Sequence, residues 1–264
     1  MVNNPNSPFQ SVIGLGAQKA EYHYGGAGKW LSLILGIVFV LACPALALLA
    51  AWLGYDANDR FGSRAVLGSV AGPLVIGLAL LVIGAAMLFQ AWRNWSLAAG
   101  LYDKGLAFRD RQGIRQVAWT DVEAVWQNVT RHYTNGVYTG TTHVYTLKVV
   151  NGQKVVLDDR LGKKVEELGR EIQQNVSSAL FPRYWQALQS GQKVAFGPLA
   201  LDRTKLYAGK KELSWDEIKA IRVDKGAIAV RKDKGWLNWA SATVAQVPNF
   251  FIFYELIGRL AKIE

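Results

Sequence analysis

Three histidines, one cysteine and 20 carboxylates are the groups through which this chain of 264 residues could do acid–base, nucleophilic or metal chemistry. Such chemistry needs a base within hydrogen-bond reach of a nucleophile, or three to four converging metal ligands. His23 stands near the N-terminus, while His132 and His143 flank an Asn135-Gly136 turn that would set them on paired strands, near one another. No Cys, Asp or Glu lies between Glu123 and Asp158 to complete a metal site, so the pair reads as strand-surface residues. The single Cys43 can form neither an internal disulfide nor a cysteine pair for zinc. No G-x-S-x-G or H-E-x-x-H pattern occurs. Gly25, Gly26, Gly28 and Lys29 imitate a phosphate loop, but its first glycine falls at His23 and its Ser/Thr at Trp30. Asp121, Asp216 and Glu217 sit in turns, where carboxylates bond to nearby amides. The residues predict no catalytic, cofactor or metal site, and no enzyme.

The elements that would position any site begin with two uncharged apolar stretches, 24 residues at 30–53 and 27 at 66–92. As helices they reach roughly 36–40 Å, more than the ~30 Å hydrocarbon core of a bilayer. They predict a transmembrane hairpin over residues 30–92. A cleaved signal peptide fits poorly, because its apolar region is shorter and follows a short basic start. Gly68 and Gly72 make a small-xxx-small pair, expected to pack against the first helix through Gly36 and Ala42, with a second copy of the chain as the other candidate. Pro44 and Pro73 are expected to kink their helices. Neither span holds an ionisable side chain, which argues against transport.

Charge sets the expected orientation. Of the net +10, residues after Trp92 supply +9, and Lys29 and Arg93 stand directly at the ends of the spans. The connecting residues 54–64 carry Asp56, Asp59, Arg60 and Arg64, which cancel. Both termini are expected on the cytoplasmic side with a short outer loop. Residues 1–29, rich in Asn, Ser, Gly and Gln, read as a mobile tail.

Beyond Arg93 the pattern becomes short strands and turns. Asp103-Lys104-Gly105, Arg111-Gln112-Gly113, Asn151-Gly152, Asp224-Lys225-Gly226 and Asp233-Lys234-Gly235 each punctuate β-prone runs. Tyr145, Leu147 and Val149 alternate with polar or smaller neighbours, as in a half-buried strand. Val165, Leu168, Ile172, Val176 and Leu180 predict one helix, with Asp158 and Asp159 capping its start and Pro182 ending it before a short turn at 183–188. Pro248 opens a last helix running to Leu260.

Residues 117–125 and 213–221 match, each placing a strand end, a Trp (Trp119, Trp215), an acidic turn and a new strand in the same order. The match predicts an internal duplication, with modules at 97–190 and 191–264 and the two tryptophans as core anchors. The shared pattern W-[ST/D]-[DE]-[VI]-x-x-[VI], with the phrases from Gly191 to Leu199 and Val247-Pro248-Asn249, resembles a family of uncharacterised bacterial membrane proteins that join a helical hairpin to tandem pleckstrin-homology-like modules. The resemblance covers roughly residues 97–262. It implies an α+β membrane protein: a two-helix transmembrane hairpin followed by two antiparallel β modules, each closed by a C-terminal helix. It also implies a bacterial inner membrane, but no activity, since such folds host many functions.

Functional leverage lies in the basic excess. Lys104, Arg109, Arg111 and Arg115 fall in the first module's opening hairpins, Arg203, Lys205, Lys210 and Lys211 in the second's, and Arg231, Lys232 and Lys234 near a later turn. Opening hairpins are where the resembled fold holds lipid headgroups in eukaryotic members, though the specific motif is absent here. The expected partners are the bilayer, with anionic headgroups or a protein partner at these cations, and a further copy of the chain. No nucleic-acid motif accompanies the charge, so no nucleic acid is expected. The leading expectation is a membrane-anchored binding or scaffolding protein without cofactors. The alternative is a small oligomeric channel or transporter subunit.

Overall fold

The structure, a computed structural model, describes residues 7–25, 27–233 and 237–261, with only the backbone described at Ala27 and Gly28. Gly26, Lys234, Gly235 and the first six residues of the expected tail lie outside the described residues. The chain forms two compact units, one of His23–Leu97 with Asp110–Gln112, the other of the remainder.

The first of these holds α1 (Ala27–Phe61) and α2 (Ser63–Asn94), both long and apolar enough to cross a membrane. The stretch 54–64, expected as a loop, is almost wholly helical: residues 54–61 continue α1, and Ser63 and Arg64 already begin α2. Arg60 and Asp56 form an i,i+4 ion pair at 2.8 Å, and the Gly62 amide closes the helix on the Asn58 carbonyl at 3.0 Å. Gly62, at φ 80°, reverses the chain almost alone. The helices run on through Pro44 and Pro73. They meet at Gly36 of α1, as expected, but on α2 at Gly84 in place of Gly68 and Gly72. A Cβ at Gly84 would lie 2.8 Å from the Gly36 carbonyl oxygen, whereas one at Gly68 or Gly72 would meet open space. Helical geometry explains this. Gly77 packs on Leu46 and lies seven residues before Gly84, so both share one face. Gly68 and Gly72 are turned roughly 180° and 140° away from Gly77 at about 100° per residue.

The second unit contains the same series of elements twice. In the first module β1 (Gln18–His23), β2 (Ala98–Tyr102), β3 (Gly105–Asp110) and β4 (Gly113–Ala118) form one sheet in that order. A 3-10 turn at Trp119–Asp121 leads to a second sheet of β5 (Val122–Thr134), β6 (Val137–Val149) and β7 (Lys154–Asp158), and α3 (Val165–Gln189) follows. The second module repeats this with β8 (Val194–Phe196), β9 (Leu199–Leu201), β10 (Lys205–Ala208) and β11 (Lys211–Ser214). Its 3-10 turn at Trp215–Glu217 precedes β12 (Ile218–Asp224), β13 (Ala227–Lys232), β14 (Asn238–Thr243) and α4 (Phe250–Leu260). Equivalent bonds recur. The Trp119 indole donates to the Asp103 carbonyl at 3.2 Å, and the Trp215 indole to the Asp202 carbonyl at 3.1 Å. Trp119 is buried as expected of a core anchor, while Trp215 is half-buried.

The expected tail is therefore corrected. Phe9, Leu15 and Tyr22 are buried, and β1 pairs with β2. The Asp103 amide bonds to the Ala17 carbonyl at one end of the pair and the Tyr24 amide to the Leu97 carbonyl at the other, an antiparallel arrangement. The first module starts at β1, not at residue 97, and the apolar hairpin is inserted between its first two strands instead of preceding it.

Helix α3 buries the apolar face read from its sequence, and Gly169 leaves room for the Tyr145 ring, which a Cβ would overlap. Its cap differs from the expected one. Asp158 accepts from the Arg160 amide in the turn before the helix, and Asp159 accepts from the His143 amide. Pro182 does not end α3. A proline inside a helix forfeits a hydrogen bond, at a cost of about 3 kcal/mol, and packing on both sides of it offsets that loss. The half before Pro182 closes the first module. Around and beyond it, Phe181 and Trp185 lie 4.9 and 4.8 Å from the Arg259 guanidinium of α4. Tyr184 stacks toward Phe196, which meets Phe253 at 5.4 Å.

Asn249 fastens the modules together. It sits at φ 52° before α4 and is 6% exposed. Its amide donates to the Val125 carbonyl at 2.8 Å and its Oδ1 accepts from the Val125 amide at 2.9 Å, as a neighbouring strand would. Its Nδ2 donates to the Glu123 carbonyl and the Tyr184 hydroxyl oxygen.

Two outcomes follow from this packing. Gly84→Val is expected to destabilise the hairpin by about 1–3 kcal/mol through overpacking, while Gly68→Val leaves it unchanged; thermal melts in detergent distinguish them. Asn249→Gly keeps the left-handed backbone but strands the Val125 amide, so a loss of about 2–4 kcal/mol in denaturant titrations is expected.

Candidate functional site

Aromatic rings and cations gather where the hairpin begins and ends. The Lys29 ammonium stands 3.8 Å from the Trp95 ring centroid, 5.5 Å from Tyr24 and 5.8 Å from Trp30. The Arg111 guanidinium lies 3.8 Å over Trp92, which in turn meets Phe89 at 5.8 Å. Arg111 is presented by the tight turn between β3 and β4, where the Gln112 amide donates to Asp110 Oδ1 at 2.8 Å. Each such cation–ring contact is worth about 0.5–1 kcal/mol when exposed. Trp30, Trp92 and Trp95 remain 62, 64 and 56% exposed, so the collar presents ring surface outward. Trp52, Tyr55 and Phe61 are exposed toward the other end of α1. Trp30 and Trp52 are 22 residues apart, roughly 33 Å along the helix. That matches the ~30 Å hydrocarbon thickness between the two headgroup layers that favour Trp and Tyr.

The collar was only partly visible in sequence. Lys29 and Arg93 mark the span ends there, but stacking of Arg111 on Trp92 depends on a turn 19 positions further on.

The other basic residues do not converge into one patch. Because β1 to β4 meander, Lys104 lies at one end of that sheet, between β2 and β3, and Arg109 lies at the other, beside Ala98. Arg115, in β4, has its guanidinium 5.2 Å from the Phe108 ring. In the second module Arg203 and Lys210 likewise occupy opposite ends of β10, and Lys211 opens β11. Lys205 is tied to Glu212 at 2.7 Å and Lys232 to Glu217 at 2.9 Å. The placement of these cations in opening hairpins is also corrected. With β1 as first strand, they fall one connection later than the sequence indicates, and the first connection of that module is the apolar hairpin itself.

The second module carries a compact polar network around Asp202. Its Oδ1 accepts from the Thr204 amide and hydroxyl at 2.7 and 2.8 Å and from the Lys205 amide at 2.8 Å, while Oδ2 accepts from the Tyr207 hydroxyl at 2.6 Å. Burial raises the Asp202 pKa, but these bonds outweigh it and hold the carboxyl at about 2, below its ordinary 3.8. The hydrogen bond to Asp202 pushes the Tyr207 hydroxyl up to about 12, and Lys193 covers its ring at 3.7 Å. This is turn-stabilising chemistry. Glu217 behaves alike, held below the ordinary carboxyl range by Lys232 and the Ser214 amide.

His132 and His143 are not brought together. His132 pairs with Gly140 and His143 with Val129, an odd offset that turns the two rings to opposite faces. His132 Nε2 contacts the Thr142 hydroxyl at 2.6 Å, and His143 Nδ1 lies 3.2 Å from Asp159. Among the described residues no group of three His, Cys, Asp or Glu side chains could hold a metal ion.

A family profile described as "Family of unknown function (DUF6585)" matches residues 5–263. The chain belongs to this family. The match starts ahead of β1 and runs past α4, so the DUF6585 unit comprises the inserted hairpin and both β modules together. No curated protein matches the chain.

Tyr207→Phe is the informative substitution for the Asp202 network. A lowered carboxyl pKa gives stability that is full above pH 3.8 and is lost as pH falls through about 2. A raised tyrosine pKa gives stability that is full below pH 10 and is lost as pH rises through about 12. The variant is expected to titrate Asp202 between these two carboxyl values and to lose the alkaline sensitivity, read by carboxyl carbon NMR and by melts across pH.

Proposed function

We propose that this DUF6585 member is a membrane-anchored binding and scaffolding protein with no catalytic role. In this reading α1 and α2 span a bacterial inner membrane, both termini are cytoplasmic, and two pleckstrin-homology-like modules form the binding body. The observation that carries it is the outward-facing apolar surface of the hairpin. Only 11 and 6% of the most apolar 18-residue stretches of α1 and α2 is buried, and exposed aromatic rings bracket that surface. A core helix of a water-soluble protein would hide such a face. Leaving it in water would cost about 25 cal/mol for each Å².

Orientation follows from the charges at each end. Lys29, Arg93 and Arg111 accompany the collar, while Asp56, Asp59, Arg60 and Arg64 offset one another at the turn. The module assignment is supported by the repeated order of a four-stranded sheet, a three-stranded sheet and a closing helix. Binding is favoured over catalysis because the perturbed carboxylates are committed to turns and ion pairs. One observation favours the channel-subunit alternative: Gly68 and Gly72 are free of hairpin contacts and would admit another helix closely.

In-cell crosslinking of the full chain with mass spectrometry tests both readings. Crosslinks from the module lysines to one recurring protein are expected, with no ion flux from reconstituted vesicles. Flux accompanied by crosslinks between copies would replace the scaffold by the channel, and a periplasmic reporter signal from a C-terminal fusion would overturn the topology.

A further inference from the structure

The strands β5 and β6 are 13 residues each, against 7 and 6 for their counterparts β12 and β13. Only Val144–Lys148 of β6 pairs with β7, and Asn249 covers β5 at Val125. Every residue from Asn128 to Thr139 is exposed, so the outer half is a two-stranded ribbon with both faces open. Such a ribbon is marginal in water by itself. Its tip is apolar and aromatic. Val129, Tyr133, Val137 and Tyr138 are all more than two-fifths exposed, and the two tyrosines meet edge-on at 5.9 Å.

The charge on this arm has one sign. Between Glu123 and Asp158 the chain carries no acidic residue, while Arg131 and His132 stand next to the tip. The acidic groups near the arm lie at its root, where Asp159 and Glu166 are 3.2 and 3.8 Å from His143. From that level to the turn is about 17 Å of strand, beyond the screening length of about 8 Å in physiological salt. The root also locates the arm in the module. Glu166 lies in the first turn of α3, and burial, with Glu167 beside it and Glu171 about one turn further along, raises the Tyr22 pKa. Tyr22 belongs to β1, so the root of the ribbon stands on the side of the module where the start of α3 approaches that strand.

We propose that the β5–β6 ribbon is a membrane-touching arm whose Tyr133–Tyr138 tip enters the headgroup layer of an anionic bilayer, with Arg131 meeting lipid phosphate. The proposal rests on the reading that the hairpin is anchored in that bilayer. Amphipathic rings favour this layer, and guanidinium groups pair well with phosphate oxygens. A second copy of the chain is a poorer occupant. Thr139 is an extra residue that breaks the β6 register beside Gly140, and symmetric pairing of β5 edges centred on Arg131 would oppose like charges.

Two fluorescent probes on the full chain in lipid nanodiscs test the arm and the anchor separately. One is attached to native Cys43 inside α1, the other to Thr134→Cys in a Cys43→Ala background. Nitroxide lipids at headgroup depth are expected to quench the Thr134 probe in discs containing phosphatidylglycerol, more weakly in phosphatidylcholine alone, and Tyr133→Ser with Arg131→Ala is expected to lose the quenching. A Cys43 probe shielded by acyl chains beside a Thr134 probe fully in water would overturn the arm and leave the anchor standing. A water-exposed Cys43 probe would overturn the anchor instead. Spin labels at Thr134 that approach one another between copies, without lipid quenching, would assign the ribbon to self-association and overturn the proposal.

Discussion

Backbone hydrogen bonding between Gln18–His23 and Ala98–Tyr102 brackets the apolar hairpin on both sides. Joining two strands across a flexible loop of that length would cost roughly 4 kcal/mol in chain entropy. The hairpin reduces this cost because its helices bring the two chain ends back toward each other before the strands meet. Close contact of Gly36 with Gly84 is what allows that return, since bulkier residues there would separate the helices. The ladder and the glycine crossing thus depend on each other: one fixes the exit points, the other brings them within reach.

The β modules show a similar economy. A single long helix, α3, closes the first module and then supplies Phe181, Tyr184 and Trp185 to the second. Asn249 adds the polar counterpart, satisfying both backbone groups of Val125 on an edge that would otherwise lie open. Two short repeats, each small for an independent core, become one body through this helix and this side chain.

Much of this was legible in the residues, and the failures have physical causes. The apolar stripe from Val165 to Leu180, the glycine turns among the described residues and the repeated tryptophan segments are local patterns, and they appear where the sequence places them. β1 escaped because a six-residue half-buried strand has a weak pattern and its partner lies some 75 positions away. That omission shifted the strand count and put the cations in the wrong connections. Pro182 misled because packing on both sides outweighs a local preference. Gly68 and Gly72 carry a packing motif, but the helical phase of the Gly77–Gly84 seam decided which face is used. Asn249 was visible only as part of a phrase that carries the family resemblance, and nothing local announces that its amide imitates a strand.

Insertion of α1 and α2 between β1 and β2 also governs how the molecule can be made. A ribosome releases β1 long before β2, with the whole apolar hairpin in between. The first sheet therefore cannot close until the whole of that hairpin has been made, and biosynthesis acquires a fixed sequence of events. A fragment starting after Trp95 is not a smaller version of the protein, because it lacks its outermost strand and bares the rim of β2.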